Sequence, residues 1–83
     1  MNIIETWKTY IEYLNIHCDK NIVAYFTDKD NDVALGKHDN DMLYIKLYNE
    51  DFKNNNDVNN PFKLYKISSF PTYIVIRNNK AIS

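Results

Sequence analysis

A single cysteine, Cys18, is all the thiol this 83-residue chain contains. One cysteine cannot close an internal disulfide, so the covalent support that many small secreted domains use is excluded. That points to a reducing compartment, the cytoplasm first, or to a chain steadied by a partner. Charge of one sign is also missing: ten Lys and Arg against eleven Asp and Glu leave a formal net charge of −1. Such a balance offers no field for gripping phosphates, so wholesale nucleic-acid binding is unsupported. Arg77 is the only arginine. No apolar run exceeds a few residues, which argues against a membrane-spanning helix. The opening Met1-Asn2-Ile3-Ile4-Glu5-Thr6-Trp7 lacks the basic start and long apolar stretch of a signal peptide. Asn, Lys and Ile are abundant, a bias of A+T-rich coding genomes such as those of some large DNA viruses, parasites and phages.

The length makes one domain, residues 1–83, and a chain this short is only marginally stable by itself. Residues 2–16 read as a helix, because Ile3, Ile4, Trp7, Tyr10, Ile11 and Leu14 recur at helical spacing. Asn2 is placed to cap it, with Glu5 completing a capping box. Residues 21–27 read as a strand: Ile22, Val23, Ala24, Tyr25 and Phe26 are apolar in succession. Pattern alone would also allow a buried helical turn, and the polar breaks on both sides decide for a strand. A polar loop over 28–41 follows, with room for one helical turn at Val33-Ala34-Leu35 before Gly36. Residues 42–48 alternate cleanly, Leu43, Ile45 and Leu47 against Tyr44, Lys46 and Tyr48. Residues 49–59 are loop, with a possible turn of helix at Glu50-Asp51-Phe52. Asn60-Pro61 signals a short helix over 60–66. Residues 73–77 and 80–83 form two strands around Asn78-Asn79, a turn pair that tolerates positive φ.

Leu64-Tyr65-Lys66-Ile67-Ser68-Ser69-Phe70-Pro71-Thr72, between a short helix and a strand hairpin, resembles the segment of thioredoxins and protein disulfide isomerases that leads into their cis-proline. The order of elements extends that resemblance over nearly the whole chain. It implies a reduced thioredoxin-like α/β fold, a mixed sheet of about four strands with two helices on one face. It also implies a cis bond before Pro71. Aligned on the central strand, Asp30-Asn31-Asp32-Val33 falls where the family carries Cys-x-x-Cys. Thiol–disulfide exchange needs a thiolate nucleophile and a resolving thiol, and these residues supply neither. Cys18 lies before the strand and has no partner, so no redox enzyme is expected. In the family a long helix follows the motif, whereas the nine residues 33–41 allow about two turns at most. The family's closing helix is not expected either, since the hairpin runs to Ser83.

Those two helices cover one face of the family's sheet, so that face is expected to be open here. Tyr25, Tyr44, Tyr48, Tyr73, Val75, Lys46 and Arg77 would line it. Tyrosine and arginine are enriched where proteins meet proteins. The expected function is therefore a non-catalytic structural or adaptor module that binds a protein partner or itself. The alternatives are a divergent or truncated thioredoxin-family thiol–disulfide oxidoreductase and, less favoured, a binder of single-stranded nucleic acid. The plainer structural alternative is an amphipathic face that is simply wet. No cofactor or metal is expected. Asp28-Lys29-Asp30-Asn31-Asp32, with Asp39 at the twelfth position, has the spacing of a calcium loop but Val33 where glycine is required. His17, Cys18 and His38 do not have the spacing of a zinc site.

Overall fold

The computed structural model describes residues 2–32, 41–54 and 60–82. Five strands form one mixed sheet in the order β1-β3-β2-β4-β5: β1 (Asn2–Ile4), β2 (Asn21–Thr27), β3 (Met42–Tyr48), β4 (Thr72–Arg77) and β5 (Lys80–Ala81). The central β2 runs parallel to β3 and antiparallel to β4. Three helices, α1 (Trp7–Ile16), α2 (Asn49–Phe52) and α3 (Pro61–Leu64), contribute side chains to one core with the sheet. The expected turn at Val33-Ala34-Leu35 and the residues Val33, His38 and Asp39 lie outside the described residues.

The start of the chain departs from the expected helix and adds a fifth strand. Asn2, Ile3 and Ile4 pair in parallel with Ile45, Lys46 and Leu47. Two adjacent β-branched residues favour that state, and it buries Ile4 completely. The helix cap is therefore Thr6, not Asn2: its backbone is extended and its Oγ1 accepts from the Thr9 N–H at 3.2 Å. From there the predicted stripe holds. Tyr10 and Leu14 are buried, with Trp7, Ile11 and Tyr13 packed at their margins.

The alternation in the strands sorts as expected. Ile22, Ala24, Phe26, Ile45, Leu47 and Ile76 join the core under the helices. Tyr10 and Tyr65 meet there through their hydroxyls at 2.6 Å. Burial, and then that hydrogen bond, push the Tyr10 phenol far above its ordinary pKa.

Phe62 is the hub of an aromatic cluster. Its ring meets Phe26 edge-on at 5.0 Å, Phe52 at 5.4 Å and Phe70 at 6.0 Å. Asn60 caps α3 by accepting from the Phe62 N–H at 3.0 Å, and its amide donates to the Phe52 carbonyl at 2.8 Å. At the other end of α3 the Ile67 N–H reaches the Phe62 carbonyl at 2.9 Å and the Lys66 N–H the Lys63 carbonyl at 3.2 Å. This is a Schellman closure with Lys66 at φ 54°. A side chain there strains the left-handed backbone, so Lys66→Gly should raise stability by up to about 1 kcal/mol, seen as a higher urea midpoint at unchanged slope. No gain would mean that the lysine is not strained.

The Phe70–Pro71 peptide bond is cis. The Asn78-Asn79 turn has both residues at positive φ, 52° and 64°, as a two-residue hairpin requires. Its tip is tied to the end of α1 by the Asn78 N–H on the Cys18 carbonyl, 3.1 Å.

Candidate interaction face and the loop after the central strand

Residues paired across a sheet point to the same side, so the registers define the face away from the helices row by row. Ile3, Lys46, Tyr25 and Tyr73 form one row. Tyr44, Val23 and Val75 form the next. The Ile82 N–H continues the hairpin ladder onto the Val75 carbonyl at 2.7 Å, which sets Ile82 in that second row. Arg77 and Lys80 face each other in a third.

Six of the seven residues expected at the surface of this face retain exposure. Tyr25 does not: it is fully buried. Its ring stacks on Tyr73 at 4.8 Å and 9°, and the Lys46 ammonium stands 5.3 Å from the ring centroid. The alternation correctly predicts which way Tyr25 points, but not what lies over it. Tyr44, Lys46, Tyr48 and Val75 are half-buried, whereas Arg77 is exposed and Tyr73 is 47% exposed. Burial and the neighbouring Tyr25 phenol raise the Tyr73 pKa.

The loop after β2 explains part of this burial. The Asp28 carboxylate accepts from the Asn31 backbone N–H at 2.8 Å and from its side-chain amide at 2.7 Å, closing a tight turn. The Lys29 N–H donates to Glu50 at the start of α2, 3.0 and 3.2 Å to the two oxygens. The turn delivers Asp32 to the sheet, where one carboxylate oxygen accepts from Lys46 Nζ at 2.8 Å and the other from the Tyr48 hydroxyl at 2.6 Å. The ammoniums of Lys46 and Lys29 both lie within 6 Å of the Tyr48 ring centroid, at 5.7 and 5.6 Å. Asp32, expected only as a relic of a lost cysteine motif, is thus the clasp between loop and face. Asp30 is exposed beside it. Among the described residues no group of three His, Cys, Asp or Glu side chains is placed to hold a metal.

The clasp has a pH signature. The hydrogen bond from Lys46, then that from Tyr48, hold the Asp32 carboxyl below its usual range. Its stabilisation is complete above the unfolded carboxylate pKa and is lost as pH falls through the lower folded value. The hydrogen bond to Asp32 raises the Lys46 pKa, so that contribution is complete below the unfolded lysine value and is lost as pH rises through the folded one. The pair is partly solvated, at 12% and 27% side-chain exposure, so about 1 kcal/mol or less is at stake. Urea midpoints should form a plateau that drops below roughly pH 4 and above roughly pH 10.5. Asp32→Asn should lower the plateau and flatten its acid shoulder. An unchanged acid shoulder in Asp32→Asn would show that the clasp carries no stability.

Cys18 is exposed between α1 and β2. The seven residues of β2 separate it from the Asp28–Asp32 turn, a span of about 20 Å. Neighbouring His17 packs its ring against Tyr13, centroids 4.5 Å apart. Beyond Val23, which the alternation of β2 sets beside Tyr25 on this face, three further residues were not expected there. Ile3 was hidden by the helical reading of the N-terminus. Lys80 and Ile82 could have been found by counting outward from the Asn-Asn turn, since the residues flanking it must oppose each other.

Solved thioredoxins share this fold. The germline-specific thioredoxin Deadhead of Drosophila melanogaster superposes with a TM-score of 0.74 at 20% identity, covering 100% of this chain and 83% of its own. Thioredoxin NaTrxh of Nicotiana alata gives 0.73 at 11% identity, over 99% and 76%. The reduced thioredoxin pre-protein of Schistosoma mansoni gives 0.67 at 18% identity, over 100% and 78%. No protein-family model and no curated protein matches the sequence. The chain has a thioredoxin-like fold with one cysteine and hence no cysteine pair.

Proposed function

We propose that this thioredoxin-like chain is non-catalytic and acts by binding another protein, as a structural or adaptor module. The position of its thiol carries the reading. Dithiol exchange needs two thiols within reach of each other beside the substrate disulfide. Here the resemblance puts that pair at Asp30 and Val33, neither of which carries a thiol, while Cys18 stands at the opposite end of β2. With Asp32 bound to Lys46 and Tyr48, this end of the sheet is a fixed polar surface. The exposed Tyr73 and Arg77, with the partly exposed Val75, provide the contact area. Among the described residues no helix is long and apolar enough to cross a membrane.

Two measurements test the reading. In a thiol–disulfide reductase assay the chain should show no turnover above background, and Cys18→Ser should behave identically. Turnover that disappears with Cys18→Ser would replace this reading by that of a divergent oxidoreductase. In sedimentation equilibrium and in binding to a copurifying protein, Tyr73→Ala combined with Arg77→Ala should weaken association while the chain stays folded. If association persists unchanged, the face is not the interface.

A further inference from the structure

We infer that the β4–β5 half of this face docks an extended segment of a partner protein that carries an acidic residue two positions from an apolar one. This rests on the binding role proposed above and names the partner's chemistry. Arg77 and Lys80 are directly opposed across the hairpin. Like charges in that position cost stability, and a carboxylate nearby would ordinarily relieve them. The Arg77 guanidinium hydrogen-bonds to the Asn21 amide oxygen at 3.2 Å, a neutral acceptor. The ion pair of this face, Lys46 with Asp32, lies on another strand and an adjoining loop. The two cations at the hairpin therefore stand without a carboxylate partner among the described residues.

Beside them the surface turns apolar in register. Val75 and Ile82 form the next row and Tyr73 the row beyond it. Ile82 and Tyr73 are 57% and 47% exposed. Successive rows on one face are two residues apart, about 6.6 Å. An extended peptide has the same spacing between side chains on one side. A carboxylate on the Arg77–Lys80 row thus sets the side chain two positions along on Val75 and Ile82, and the one after that on Tyr73. A nucleic acid fits less well, because two cations bordered by aliphatic side chains do not follow a phosphate backbone.

The probe is an acetylated, amidated pentapeptide with glutamate first, leucine third and fifth, and serine between, titrated into 15N-labelled protein to roughly 10 mM. Amide shifts should saturate and map to residues 73–82. A lysine-for-glutamate peptide should bind at least roughly ten-fold more weakly. Lys80→Glu should cost the glutamate peptide a similar factor while raising the melting temperature by a few degrees, because it turns a repulsive pair into an attractive one. A merely structural lysine would not couple gain in stability to loss of binding. Saturable, equal binding of both peptides at the strip would overturn the inference and leave the docking role standing. Absence of saturable shifts at the strip would also overturn it, and the association test above then decides separately whether the docking role falls with it. Shifts confined to another surface, or preferential binding of a thymidine pentanucleotide, would overturn it as well.

Discussion

Phe62→Ala should remove a large share of the stability of this domain. Phe62 is 6% exposed and touches the rings of Phe26, Phe52 and Phe70. It therefore links the central strand, α2 and the segment before Pro71 through one side chain. Truncating a buried phenylalanine costs about 3–5 kcal/mol, part from lost transfer energy and part from the cavity left behind. A domain of this size has roughly 4–12 kcal/mol in total. The melting temperature should thus fall by roughly 12 °C or more, measured by circular dichroism. Phe62→Leu, which keeps most of the volume, should recover most of that loss. A fall of less than roughly 4 °C for Phe62→Ala would show that the cluster collapses onto the gap, and that Phe62 is not the hub its contacts describe.

Asn60→Ala should cost nearly as much through polar chemistry. Asn60 is 2% exposed, and its amide satisfies two backbone groups of different elements, the Phe52 carbonyl and the Phe62 N–H. Loss of an N-cap costs about 1 kcal/mol. A buried backbone group left without a partner costs about 1–3 kcal/mol more. The expected sum is about 3 kcal/mol, read as a shift in the urea midpoint at unchanged slope. Asn60→Asp separates the two roles. It keeps the acceptor for Phe62 but faces a carboxylate against the Phe52 carbonyl. Burial and that carbonyl favour the protonated acid, so the folded pKa should lie above the unfolded one. The variant should then lose stability as pH rises through about 4 to 6, where the parent chain stays level. A level profile in Asn60→Asp would mean that the amide does not bridge α2 and α3 in solution.

These two positions differ in how well the sequence announces them. Asn60-Pro61 is a recognised way to begin a helix, and the cap forms where that signal puts it. The second bond of Asn60 crosses eight residues, past an intervening stretch whose pattern gives no hint of where the chain returns. The same division applies to the face opposite the helices. Alternation alone assigns Tyr44, Lys46, Tyr48, Tyr73, Val75 and Arg77 to it, because side chains on a strand must alternate. That Asp32 reaches back to Lys46 and Tyr48 is a contact over 14 and 16 residues, set by how the Asp28 turn aims the loop. Tyr25 is likewise met by groups distant in sequence, the Tyr73 ring and the Lys46 ammonium. The extended N-terminus has a similar origin. Ile3 and Ile4 suit either period, and only the presence of β3 alongside makes the extended state the one that satisfies their backbone.

Local sequence suffices for the stripe of α1 from Trp7 onward, the strands around Tyr25 and Ile45, the Asn78-Asn79 hairpin with Arg77 and Lys80 opposed across it, and the lack of a second thiol. Each depends on short-range sterics, on a period of two or about 3.6 residues, or on composition. Only the assembled fold reveals the fifth strand, the bridging role of Asn60, the Asp32 clasp and the burial of Tyr25. These join residues distant in sequence, or depend on which neighbours pack around them. Their energies come from desolvation and partner geometry that exist only once the sheet has assembled.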